Sequence, residues 1–488
     1  MLITRQIQYG EWLPDQPSVG NACKTATNVI PHGAGYSAVR ALTPANEPLA
    51  GRCLAAMSCR GSNGTIYTFA ADASKLYLQS STEWEDVSQD GGYSAIDWEF
   101  AKYGERIIAV QTLAAPQYYD LGSSEKFADL PGSPPLAKHV AIVRDFVVLG
   151  NITEEAIDRT SKIAWSGFNT SEVWGSDIAT QTDFQELLGD GGRIMRIVGG
   201  SYGVIFQENS IWRMDYSGAP TIFELNEVET ERGTPASKSV CWLGRTIYYW
   251  GHDGFYRFNG QASEPIGHEK IDNYLRGDLD VSRIDYFIGA ADRANGLIFW
   301  MYPSLDNGAQ KIVVYNWKVN RWALIDQSPE MIFQYFSAGY TLDSLDDILT
   351  DIDSDSIPVD SQVYNGGQIF LGAFNQDHKL ATFSGDWLVA EMETGDIASA
   401  NGTALFIARA RSQVESSSYE SIEFCGRDNL VQDIEYGDDV LANDYGEFSL
   451  LKAARYSRIK HRVAGNATHL MGIEIEYREA GRRSKYVR

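Results

Sequence analysis

Gly199-Gly200-Ser201-Tyr202-Gly203 has the GxSxG spacing of the serine-hydrolase nucleophile turn. That spacing activates a serine only on a strand–turn–helix, where the hydroxyl stands beside backbone N–H donors. Here the apolar run Ile194–Val198 comes before it and a second strand-like run, Gly203–Gln207, comes after. The stretch therefore reads as a turn between strands. Asp351-Ile352-Asp353-Ser354-Asp355-Ser356 opens like an EF-hand loop. Its sixth position is Ser356, not Gly, and its twelfth is Gln362, not the bidentate Glu that calcium needs. It sits among Asp343, Asp346, Asp347, Asp351, Asp353, Asp355 and Asp360, with no cation between them. We read 343–360 as an exposed acidic loop, with weak divalent-cation binding as the alternative.

Seven histidines (His32, His139, His252, His268, His378, His461, His469) are scattered, without HExxH or a zinc-type Cys/His spacing. There is no GxxxxGK[ST] phosphate loop and no GxGxxG. The chain thus offers no catalytic, cofactor-binding or metal-binding motif, and no cofactor is expected. A glycosidase could still assemble carboxylates from distant segments, which spacing alone does not reveal.

The elements that would position any such group are short strands. The stretch around 244–260 shows the unit: Thr246–Trp250, a Gly251-His252-Asp253-Gly254 turn, then a second aromatic run over 255–259. Aromatic and β-branched residues suit a pleated surface, and glycine and aspartate suit the turn. Both faces of Thr246–Trp250 are apolar or aromatic, so the hairpin is expected inside a stack of sheets. Like units recur at 65–79, 106–121, 146–166, 203–216, 297–316 and 368–383, with a longer polar loop expected between 146–150 and 162–166. The spacing approaches the length of a propeller blade, and a lone hairpin cannot bury its own faces. The expected fold class is all-β: a β-propeller-like domain over 51–395, preceded by an extended arm over 1–50. A smaller β-sandwich or barrel-like domain follows over 396–488. Proline in Trp12-Leu13-Pro14-Asp15-Gln16-Pro17 and Ile30-Pro31 keeps the arm out of a central strand.

Hydrophobic residues make up 44% of the 488, and aromatics 12%, which excludes a mainly disordered chain. Five cysteines at irregular spacing, with no CxxC, read as buried thiols and not as a disulfide framework. Met1–Gly10 lacks a signal-peptide core, and no apolar run is long enough to span a bilayer, so neither export nor membrane insertion is expected. Net charge is −24, a poor endowment for gripping phosphates. The charge is unevenly spread: residues 452–488 carry ten Lys/Arg and three acids, +7, which leaves −31 on the rest. A basic end on an acidic molecule reads first as a seam against an identical neighbour, ahead of a DNA-contact patch or an ordinary solvated face. The candidate contact residues are Arg455, Arg458, Lys460, Arg462, Arg482 and Arg483 from that end, with Trp12, Pro14 and Tyr36 from the arm.

The order of arm, hairpin repeats and basic-ended β domain resembles the tail-hub, or nozzle, proteins of short-tailed bacteriophages. The likeness is carried by Trp12-Leu13-Pro14-Asp15 with Asn28-Val29-Ile30-Pro31, by Asp253-Gly254-Phe255-Tyr256 with Gly260, and by Gly385-Asp386-Trp387-Leu388. The end segment Ala454-Arg455-Tyr456-Ser457-Arg458 running to Gly472-Ile473-Glu474 adds to it. The resemblance implies a non-enzymatic virion part, made in the bacterial host cytoplasm. It implies a homohexamer forming a ring or tube below a portal–adaptor, with a fibre, spike or needle beneath. Such a tube continues the DNA channel and retains the genome until ejection, and an acidic bore lets DNA pass without sequence-specific binding. The competing reading is a carbohydrate-active or glycan-binding propeller, a tail depolymerase or lectin, using Trp250, Trp300 or Trp317 as sugar platforms.

Overall fold

The computed structural model describes residues 2–154, 156–336, 369–399, 401–415 and 418–480. The acidic loop 343–360, and Arg482 and Arg483, lie outside these residues. Among the described residues, six sheets have four strands each, and four strands of a ten-stranded sheet form a seventh such unit. Short strands dominate; the one α-helix among the described residues, α1, is Asp272–Asp278. The protein is mostly β, in a propeller-like arrangement of small sheets.

Each of the seven hairpins read from the sequence forms the middle two strands of one unit. Thr246–Trp250 and Phe255–Phe258, for example, lie between Cys241–Leu243 and Ser263–Pro265. The units face one another round a closed circuit. Phe69 and Leu76 pack against Ile107 and Tyr119 of the next unit, and Val110 against Val147. Val148 packs against Ile205, Phe206 against Tyr249, and Phe255 against Trp300 and Trp322. Phe299 meets Phe333, and Tyr77 closes the circuit. Sheets covered on both sides explain why Leu297–Pro303 is buried at every position. One segment departs from expectation. The polar stretch expected as a loop within 146–166 is strand instead: Phe146–Glu154 and Ile157–Trp165 pair along their length across a bulge after Gly150. Asn151 takes a φ of 57° there, which asparagine tolerates better than most residues.

Residues 1–50, expected as an arm, are woven into three sheets. Thr43–Pro48 pairs antiparallel with Lys379–Thr382 and is the outer strand of the unit containing Met331–Phe336 and Ile369–Phe374. The chain then enters the first unit at Ala55–Arg60. The circuit is thus closed by strands of opposite ends of the sequence. Ile3–Gln8 and Gly35–Ala38 pair with His469–Glu479, and Thr25–Thr27 bridges Arg321–Ile325 to Ala390–Glu393.

The remaining strands form two facing sheets. One contains Leu405–Glu415, Glu447–Ala454 and His469–Glu479; the other contains Tyr419–Arg427, Glu435–Leu441 and Tyr456–Ala464. Ile407, Ile473 and Ile475 of the first meet Ile422, Ile459 and Val463 of the second in one core. That core is continuous with Trp12, Trp300 and Trp322, so these sheets are fused to the unit Ile288–Ile325.

Asp15 shows how the N-terminal segment is fixed. Its carboxylate accepts the Asn273 and Tyr274 N–H groups, both at 2.8 Å, at the start of α1, where unpaired donors await an acceptor. Behind it the Asp272 carboxyl is wedged between Gly254 and Gly267. A Cβ on either glycine would collide with it.

Candidate functional site

The first strands of the seven units converge on one axis, where they line a cavity of about 410 Å³; four of them contribute small residues there, Ala55, Ala101, Ala141, Gly289 and Ala290. That size suits a small molecule. Its lining is divided. Met57, Ile288, Met331 and Phe333 give an apolar side, while Glu99, Lys102, Arg196 and Lys238 give a charged one.

The charged groups come from neighbouring units and are tied together. Glu99, the first residue of Glu99–Tyr103, is 6% exposed. Its Oε2 accepts from His139 Nδ1 at 2.8 Å and from Arg196 Nη1 at 2.9 Å. Among the described residues neither His139 Nε2 nor Arg196 Nε has a hydrogen-bond partner. Two residues earlier, Asp97 takes the Lys238 ammonium at 2.8 Å, with Lys138 at 3.9 Å. Burial would raise the Asp97 carboxyl, but Lys238 and Lys138 hold it below the ordinary carboxylate value. Cys241 lines the same cavity, and burial pushes its thiol up, away from the reactive thiolate. The arrangement can orient a small polar ligand. It presents no activated nucleophile, and its Asp97 is shifted opposite to a glycosidase general acid.

The residues singled out from sequence are dispersed. Ser201 is exposed on a bend between Ile194–Val198 and Gly203–Gln207, with no helix after it. Trp250 and Trp300 are core residues, 2% and 0% exposed, and so cannot serve as sugar platforms; Trp317 stands on a turn at 42%. His252 bonds the Glu208 carbonyl, and His378 the Glu330 carboxylate. Among the described residues no cluster has metal-ligating composition, and all five cysteines are free and buried.

Of the contact candidates, several have partners inside the chain. Trp12 is buried, donates Nε1 to the Lys24 carbonyl at 3.1 Å, and meets Tyr274 edge-on. Tyr36 is buried and donates to the Gly10 carbonyl at 2.9 Å; Pro14 is half-buried. Arg458 is buried between Asp396 (2.6 Å) and Glu393 (2.9 Å). Lys460 pairs with Glu391, and Arg462 with Glu391, Glu423 and Asp439. Arg455 is exposed. Three of the ten cations of this end, Arg458, Lys460 and Arg462, are thus spent against acids of the same chain. The sequence hid this because the pairing acids at 391–396, 423 and 439 are distant along the chain. The charged group at the cavity, Asp97, Glu99, His139, Arg196 and Lys238, was likewise missed, since its members come from successive units far apart along the chain. The signal available was a charged or titratable residue within a strand-like run: Glu99, His139 and Arg196 each have that context.

No family model matches the chain, and no curated protein matches it. Among solved structures, a chain of the mitotic checkpoint complex is similar at TM-score 0.40 and 10% identity, over 72% of this chain and 95% of that one. The extracellular domain of a one-component system from B. thetaiotaomicron is similar at TM-score 0.40 and 8% identity, over 84% of this chain and 47% of that one. At such scores neither carries an argument about function.

Proposed function

We propose that this protein is a structural subunit of a short-tailed bacteriophage tail, a hub or nozzle component that assembles with copies of itself into a hexameric ring. The ring sits below a portal–adaptor, with a fibre, spike or needle beneath, and DNA passes through it during ejection. The observation that carries the reading is the weave of residues 1–50 through the circuit of small sheets and through the two facing sheets. It fuses all parts into one block, as a load-carrying wall segment requires. The axial cavity is far too small for a duplex, so the bore lies between subunits, and a net charge of −24 is suited to line it without holding DNA. The neutralised charges round the cavity, with no activated nucleophile, favour a non-enzymatic part.

Negative-stain microscopy and mass photometry of the purified protein test this. Rings or tubes of uniform size, and no release of reducing ends from host surface polysaccharide, are expected. A solitary chain that releases them would overturn the proposal and favour the second reading, a glycan-binding or glycan-cleaving propeller. That reading draws on the unpartnered His139 Nε2 and Arg196 Nε beside a cavity of ligand size.

A further inference from the structure

The strand Glu435–Leu441 ends its sheet, pairing on one side with Tyr419–Arg427 and on the other with nothing among the described residues. Residues 429–446 are exposed apart from Ile434 and Val440. Val431 is 91% exposed, Tyr445 87%, Leu441 57% and Tyr436 52%. A bare edge bearing apolar side chains is a template for another strand. Residues 428–447 carry seven acids and no Lys or Arg. Asp439 and Glu447 are paired with arginines of the same sheets. Asp433, Glu435, Asp438 and Asp444 make no ion pair among the described residues. An acidic edge repels the same edge of a second copy and selects a cationic strand.

The chain itself carries a segment of that charge. With Arg458, Lys460 and Arg462 committed internally, the unbroken cationic stretch that remains is Gly481-Arg482-Arg483-Ser484-Lys485-Tyr486-Val487-Arg488, four cations and no acid. Eight residues at about 3.3 Å each match the length of the edge. We propose that residues 481–488 of one copy add to the Glu435–Leu441 edge of the next, forming the head-to-tail seam that closes a ring. The proposal rests on the ring-forming reading above and names its contact.

Two charge-reversed chains test it by mass photometry. One carries Arg482→Glu, Arg483→Glu, Lys485→Glu and Arg488→Glu. The other carries Asp433→Lys, Glu435→Lys, Asp438→Lys and Asp444→Lys. Each alone should need at least about tenfold more protein to assemble than the unaltered chain. An equimolar mixture should recover assembly, because each altered surface then meets its complement on a different copy. Assembly of the unaltered chain should also weaken as NaCl rises from about 0.05 to 0.5 M. Either reversal assembling normally, or salt-insensitive assembly, would overturn this seam while leaving a ring intact. Recovery only when both reversals share one chain would show the segment folding on its own edge, and would also overturn it. An unaltered chain that stays monomeric removes the ring and the seam together.

Discussion

Replacing Arg458 by alanine separates a surface contact from a buried clasp. The guanidinium lies between Asp396, whose side chain is 1% exposed, and Glu393, at 5%. Burial would raise the Asp396 carboxyl; hydrogen bonds from Ser18, Arg427 and Arg458 outweigh it and hold the group below its usual value. In Arg458→Ala, Arg427 stays on Asp396 at 2.5 Å, but Glu393 keeps only the weaker bond from Thr25 Oγ1 at 3.3 Å. Removing one partner of a buried pair costs about 3–5 kcal/mol, and the surviving Arg427 places this site near about 3. Urea unfolding at pH 7, followed by tryptophan fluorescence, reads the loss. The sign with pH follows from the lowered carboxyl. Its stabilisation is complete above the unfolded value of 3.8 and is lost as pH falls through the folded one. The variant should therefore lose less on acidification from pH 5 to 3 than the unaltered chain. Adding Glu393→Gln should return part of the stability, because it removes the stranded charge. Arg455→Ala, at an exposed position, should stay within about 0.5 kcal/mol. If Arg458→Ala unfolds at the same urea concentration as the unaltered chain but fails to assemble, the buried-clasp argument is wrong and Arg458 faces a neighbour.

Asp272 tests the opposite sign. Burial lifts its carboxyl from 3.8 to about 7, against the hydrogen bond from the Phe255 N–H and with help from Asp15. The folded chain holds the proton longer than the unfolded one, so stability should decline between about pH 4 and 7. At about 1.4 kcal/mol per pH unit, the decline is of order 4 kcal/mol. Asp272→Asn should flatten this decline and be the more stable form at pH 8 in urea titrations; an unchanged slope would refute it. Trp12→Ala should cost about 3–5 kcal/mol by emptying a core position, read as a lower unfolding midpoint. Deleting residues 1–50 should remove the closing strand and leave the Lys379–Thr382 edge bare, seen as rapid proteolysis within 369–382. Ser201→Ala should leave folding and any hydrolytic activity unchanged, because the side chain stands on an exposed bend without partners of a triad.

The sequence displayed the middle hairpin of every small sheet, because those two strands are buried on both faces and carry the aromatic runs. It hid their flanks for two physical reasons. The outermost strands are short and wet, such as Glu83–Asp86 and Asp183–Glu186, so they lack the alternation that marks a half-buried strand. Some of the innermost, such as Ile288–Asp292, carry small side chains, and Gly-Ala-Ala reads as a loop. The N-terminal segment misled through its prolines. Pro31 and Pro44 do enter strands, but Thr43–Pro48 is an outer strand where a missing donor costs little. The cavity charges and the Arg458 clasp were invisible for a different reason. Their partners are set by sheet stacking, which local patterns do not encode.

The closing pair between Thr43–Pro48 and Lys379–Thr382 bears on the timing of biosynthesis. At about 5–20 residues per second, a ribosome needs roughly a quarter of a minute to a minute to travel from one partner to the other. Over that interval the early strand has no mate, and the growing row of sheets stays open at its leading end. A contact so remote in sequence forms late and governs the overall pace. The nascent chain must therefore be shielded from its neighbours on the same polysome until the final sheet emerges and the early strand slots beside it.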